Sequence, residues 1–309
     1  MSEFPWSVTK QYLLTPGAQD NYNEGKEAAP SSERDIELHA SANAGIVIDA
    51  SELPTEDELK TLRRVPGSLP ILAYYICAVE FAERSSYYGI SALISNFVNR
   101  KLPVGGNGYG APPRGTQQTA GALGMGTVKA NAVNQSFSML SYGLPLVFGY
   151  IADAHMGRFK LICIGICVFG IAHVLMVGSA APSLLANGNA KIPFFLSLYM
   201  LSLGTGMFKP NIAPLLLDQN PHTVPRIKVL KSGERVIVDP EASSERAMTW
   251  FYLMINIGGM MALATTYSEK LVGWWLAFLL PLFMYLPLPG LMVCPVAVLR
   301  LPSENRCIC

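Results

Sequence analysis

Six apolar stretches follow one another along the chain, at about 69–98, 131–151, 159–180, 192–217, 247–267 and 274–299. Each matches the roughly 17–25 residues, or somewhat more with tilt, that a helix needs to cross the hydrocarbon layer of a bilayer. Lipid offers no hydrogen bonds to a bare backbone, so such stretches must span as helices whose amides pair internally. Charged residues make up 15% of the 309 residues, well under the roughly 25% of a soluble domain. The expected fold class is therefore an all-α integral membrane protein. Residues 67–300 form a six-span transmembrane bundle, and 301–309 form a short cytoplasmic tail. Residues 1–66 are rich in Ser, Glu, Asp, Ala and Pro without sustained periodicity, which predicts a disordered cytoplasmic tail and no cleaved signal peptide.

Several function classes drop out early. Net charge is +1 with no basic stripe interleaved with aromatics, so no nucleic-acid partner is expected. The six cysteines are scattered and outline no disulfide framework. Cys163 and Cys167 have a spacing that could share a metal, but no His or carboxylate lies nearby in sequence, so neither metal nor cofactor is expected. The glycines between Arg100 and Lys129 are not preceded by a strand or followed by Gly-Lys-Ser, so they predict a flexible external loop rather than a phosphate cradle. No Ser-His or paired-aspartate arrangement suggests an enzyme.

Orientation follows from the basic residues near the span ends. Arg158, Lys160 and the cations from Arg226 to Arg246 fall on one side, together with Lys60, Arg63, Arg64, Arg300 and Arg306. The other side holds half as many, which places both termini in the cytoplasm.

The first span carries Glu80, Glu83, Arg84, Tyr87 and Tyr88 in an otherwise apolar run. At about 100° per residue these five share an arc of about 140° on one helix face. A charge at the bilayer midplane costs about 2.5–3.5 kcal/mol or more, so this face is expected to look into a bundle or a watery cavity. Arg84 can pair with one carboxylate, which leaves the other suited to exchanging a proton.

The run from Glu80 to Gly89 resembles the E-x-x-E-R-F-x-Y-Y-G signature of the proton-dependent oligopeptide transporter family, with Ser85 in place of the signature's Phe. Gly149 to Arg158 resembles that family's G-x-x-A-D-x-x-x-G-R turn, and Gly204 to Asn211 resembles its fourth span. Phe251 to Gly258 is similar to the F-Y-x-x-I-N-x-G signature of its fifth. The long amino-terminal tail and glycine-rich loop look like the fungal branch.

This resemblance implies the amino-terminal six-helix bundle of a major facilitator fold, built as two inverted three-helix repeats. It implies symport of di- and tripeptides with protons by alternating access in the plasma membrane. Carried over by position, Glu80, Glu83, Arg84 and Lys209 would couple the proton. Tyr87, Tyr88, Tyr142 and Asn256 would line the peptide site, and Asp153 with Arg158 would form a gating turn. The chain stops after the sixth span, where a full carrier needs an opposing bundle, so a truncated half is expected. The alternative is a non-transporting half that senses peptide or pairs with a second bundle or a full-length homologue.

Overall fold

The computed structural model describes residues 53–221 and 224–293. Most of the expected amino-terminal tail, the end of the sixth span and the tail at 301–309 lie outside the described residues.

The fold opens with α1 (Glu56–Thr61), whose start is fixed by a capping box. Thr55 Oγ1 accepts from the Glu58 amide, while the Glu58 carboxylate accepts from the Thr55 amide at 2.9 Å. β1 (Arg64–Pro66) follows and pairs in parallel with β3 (Arg235–Asp239), which pairs antiparallel with β2 (Arg226–Val229). Among the described residues the fold is mostly helical, with this small sheet beside the expected helices, and residues 53–66, expected within the tail, contribute α1 and β1. Ion pairs hold the sheet in place: Arg63 reaches Glu234 at 3.2 Å, Arg64 reaches Asp239 at 3.3 Å and Arg235 reaches Glu58 at 2.7 Å.

The rest is helical: α2 (Ile71–Asn99), α3 (Thr127–Ile151), a π-helical turn (Ala152–Met156), α4 (Arg158–Ser179), a short α5 (Pro182–Ala186) and α6 (Lys191–Leu217). After the sheet come α7 (Pro240–Gly259), α8 (Met261–Leu271), α9 (Trp274–Tyr285) and α10 (Pro287–Val293). Among the described residues four helical stretches are long and apolar enough to cross a membrane, namely Arg158–Ser179, Lys191–Leu217, Pro240–Leu271 and Trp274–Met292. With 29 and 25 residues, α2 and α3 are as long, but they carry more polar groups.

In lipid, helices associate by close packing rather than by escaping water, so small residues sit where backbones meet. A β-carbon on Gly165 would lie 2.9 Å from Met207 Cβ, and one on Gly204 would lie 2.8 Å from the Phe169 ring. Those contacts set how closely α4 and α6 approach. An aromatic knot closes one end of the bundle. The Phe97 ring lies 4.4 Å from Phe194, 4.9 Å from Trp274 and 5.2 Å from Phe278, centroid to centroid, and all four rings are buried.

The glycine-rich segment between α2 and α3 is pinned rather than loose. Trp274 donates its indole N–H to Gly121 O at 3.0 Å and its backbone amide to Tyr109 O at 2.8 Å. Asn107 Nδ2 donates to Val272 O at 2.7 Å. Gly110, at φ +90°, lies so close to Trp274 that a β-carbon would fall 2.1 Å from the indole Cδ1. Glycine serves here as a docking surface.

Candidate functional site

The charge cluster comes from a single helix face. Glu80, Glu83 and Arg84 are 3%, 1% and 3% exposed, so the stripe on α2 points into the protein. Arg84 Nε lies 2.5 Å from Glu83 Oε2 and 3.2 Å from Glu80 Oε1. One guanidinium therefore faces two carboxylates. Glu80 Oε2, Glu83 Oε1 and Arg84 Nη2 are buried without a hydrogen-bond partner, so the cluster retains unused donor and acceptor capacity.

Lys209 enters from α6, where it is half-buried and acts electrostatically on both carboxylates. Its Nζ sits 4.3 Å from the centroid of the Tyr142 ring on α3. A cation over a ring face is held there by the ring quadrupole, typically by about 0.5–1 kcal/mol when exposed and more when desolvated. Thr205, buried one turn before Lys209, is a polar neighbour that sequence reading passed over. Pro210 removes the next helical N–H, and Asn211 turns its amide back onto Met207 O at 2.7 Å.

The aromatic residues extend the site away from the charges. Arg84 Cζ is 5.1 Å from the centroid of Tyr87, which stacks on Phe137 of α3 at 5.5 Å and meets Tyr88 edge-on at 5.4 Å. Tyr87 is buried and Tyr88 half-buried, whereas Tyr142 is 64% exposed. Asn256, on α7, is exposed and donates to Tyr252 O at 2.8 Å. Of these residues Glu80, Glu83, Arg84 and Tyr87 are buried, Lys209 and Tyr88 are half-buried, and Tyr142 and Asn256 are exposed.

Ser85, the departure from the signature, is buried against α7. A β-carbon on Gly258 would lie 3.1 Å from Ser85 N and 3.1 Å from Arg84 Cβ, so α2 and α7 meet backbone to backbone beside the cluster.

At the far end of α3 the π-helical turn bends the chain through Gly157, at φ +82°. Arg158 Nε donates to Asp153 Oδ1 at 2.9 Å, and Arg158 Nη1 donates to Asp218 Oδ2 at 3.4 Å. Asp218 was not singled out from the sequence. It follows α6 by one residue, 60 positions from Arg158, and a lone acid after a helix carries no local signal. Partial burial holds its carboxyl above the ordinary aspartate range, with Arg158 pulling the other way.

Comparison with known proteins places these features. A POT family model matches residues 159–302. The chain is 48% identical over 261 residues to the MFS-type transporter ucsM of Acremonium sp, a match covering 84% of this chain and 43% of that protein. It is 40% identical over 239 residues to the peptide transporter PTR2 of Candida albicans, covering 76% of this chain and 38% of that one. The chain resembles the POT family.

POT proteins are transporters rather than enzymes, and this chain is a multi-pass membrane protein. The fold agrees with solved POT structures. The POT family transporter PepTSo superposes with a TM-score of 0.54 at 22% identity, over 77% of this chain and 39% of that one. A POT peptide transporter in complex with alafosfalin gives 0.53 at 20% identity, over 73% and 38%. The chain spans about two fifths of the length of the curated relatives it matches.

Proposed function

We propose that this chain is the amino-terminal bundle of a plasma-membrane carrier that moves di- and tripeptides together with protons by alternating access. In this reading six spans, arranged as two inverted three-helix repeats, carry both termini on the cytoplasmic side. The observation that carries it is the charge inventory at Arg84: two buried carboxylates share one guanidinium at 2.5 and 3.2 Å. A buried charge left without a partner is expensive, so the pair needs either Lys209 or a proton to complete its neutralisation. Occupation of that position by a proton or by a displaced ammonium is the coupling step.

Glu80, Glu83, Arg84 and Lys209 form the coupling group. Peptide lies on the rim of Tyr87, Tyr88, Tyr142 and Asn256, where tyrosine faces take side chains and the amide takes the peptide backbone. Asp153 and Arg158, joined by Asp218, form the gating turn, whose ion pairs break and re-form as the bundle tilts.

An opposing bundle completes the carrier. The face bearing Tyr142 and Asn256 is exposed, and in lipid such a polar face needs cover. That same observation favours the second reading, in which the chain pairs with a separate bundle or a full-length homologue and modulates it. Dipeptide uptake in peptide-transporter-null yeast decides between them. One strain expresses this chain alone, and another expresses a chimera in which residues 67–293 replace the matching stretch of the Candida albicans transporter. Uptake by the chimera supports the carrier reading. An inert chimera that reaches the membrane while retaining peptide binding supports the modulator.

A further inference from the structure

The Asn99 end of α2 is tied to the Leu271 end of α8 by two polar contacts on one seam. Thr265 is fully buried and donates its hydroxyl to Gly89 O at 2.9 Å. One turn further along α8, Glu269 is 2% exposed and accepts from Asn96 Nδ2 at 2.6 Å. Thr265 and Glu269 are four residues apart on α8, and Gly89 and Asn96 seven apart on α2, so both contacts lie on the same two facing stripes. Gly89 is small because the seam is tight: a β-carbon there would lie 2.9 Å from Pro281 and 3.2 Å from Thr265.

The second oxygen of Glu269 is buried with no hydrogen-bond partner. Among the described residues no Lys, Arg or His forms an ion pair with this carboxyl. From the loop between α2 and α3, which docks on Val272 and Trp274, the titratable groups Lys101, Tyr109 and Arg114 are all exposed. From α2 the contribution is Asn96, an uncharged donor, and Arg100 beyond the helix end is exposed. From α9 it is the apolar start at Trp274, with Tyr285 at the opposite end of that helix bonded to Ile166 O. The part of α7 that joins α8 is the uncharged run from Ile257 to Gly259, and on α8 itself Tyr267 and Lys270 are exposed. Glu80, Glu83 and Arg84 are on the same helix as Asn96 but about 18 Å or more away along it, at 1.5 Å per residue.

A carboxylate enclosed in this way, with one amide donor and no cation, would bury an uncompensated charge. A carboxylic acid fits the same space with no net charge, and its carbonyl oxygen still accepts from Asn96. We propose that Glu269 with Asn96 is a second proton-binding site, separate from the cluster at Arg84, and that its proton closes the seam between α2 and α8. Loss of the proton places a charge in the seam and opens it. The site does not depend on peptide transport, since neither residue belongs to the coupling group or the peptide rim.

The test is infrared difference spectroscopy on the 309-residue chain in lipid nanodiscs, titrated across neutral pH, with amide hydrogen exchange followed in parallel. The protonated-carboxyl C=O band of the wild type should lose intensity in Glu269→Gln and keep that contribution in Glu83→Gln. Once the intrinsic base-catalysed rise of amide exchange is divided out, raising the pH should lower protection across 265–271 several-fold in the wild type and leave it unchanged in Glu269→Gln, which is neutral at every pH. Superimposable carboxyl bands in wild type and Glu269→Gln would overturn the proposal. Should Glu269→Gln fail to insert, Asn96→Ala provides the reading. Removal of the amide donor should shift the Glu269 band, and an unshifted band overturns the site equally.

Discussion

Arg84 lies 2.5 Å from Glu83, the residue next to it in sequence, and both side chains are buried. Neighbours on a helix diverge by about 100°, so this contact needs the long guanidinium to fold back across its own helix toward the interior. Removing one partner of such a pair leaves the other charge buried and unmatched, typically at about 3–5 kcal/mol. Arg84→Ala is expected to be strongly destabilising, because it strands two carboxylates, whereas Glu83→Gln leaves Arg84 its contact with Glu80. Thermal unfolding in detergent should place Arg84→Ala well below Glu83→Gln. Equal melting temperatures would mean that Arg84 is not the hub of the cluster.

The turn at Arg158 carries a pH dependence of defined sign. Burial holds the Asp218 carboxyl above the ordinary aspartate range, so the folded chain retains a proton there that the unfolded chain has released. Between those two values stability falls as pH rises. Asp218→Asn, which cannot ionise, should flatten that part of the curve. Carboxyl NMR titration and unfolding measured from mildly acidic to neutral pH check both statements. A wild-type slope retained in Asp218→Asn would contradict them.

The pinned loop between α2 and α3 predicts a local effect. Gly110→Ala forces an L side chain to φ +90° and drives its β-carbon into Trp274, at 2.1 Å from Cδ1. The left-handed backbone alone costs about 1–2 kcal/mol, and the clash adds to it. Residues 100–126 should become several-fold more sensitive to protease while the helices remain folded. Unchanged cleavage would mean that the loop is not docked on Trp274.

Much of this site was legible because charge in an apolar helix has few explanations. The stripe of Glu80, Glu83, Arg84, Tyr87 and Tyr88 predicted one inward face, and the three charged residues and Tyr87 are buried, with Tyr88 half-buried. Long-range partners were less visible. Asp218 and Glu269 meet Arg158 and Asn96 only through the packing of helices far apart in sequence, and no periodicity marks such pairs. The sheet was missed for a different reason. Val236, Ile237 and Val238 flank a turn at Gly233 in a hairpin pattern, but the loop reads as charged, and β1 supplies its third strand from a segment that composition assigns to a tail.

Tyr142 and Asn256 are exposed, on the face that the opposing bundle covers in the proposed carrier. Expressed alone, the chain is expected to reach a membrane without accumulating dipeptide. Robust uptake by the 309-residue chain would mean that copies assemble into a working carrier.

The most direct test of the coupling claim uses the chimera in proteoliposomes, with labelled dipeptide uptake measured under an imposed inward proton gradient and, separately, as counterflow without one. The account predicts that Glu83→Gln abolishes gradient-driven accumulation and leaves counterflow measurable. If Glu83→Gln accumulates dipeptide with the wild-type dependence on the proton gradient, the buried carboxylates at Arg84 do not couple protons to transport.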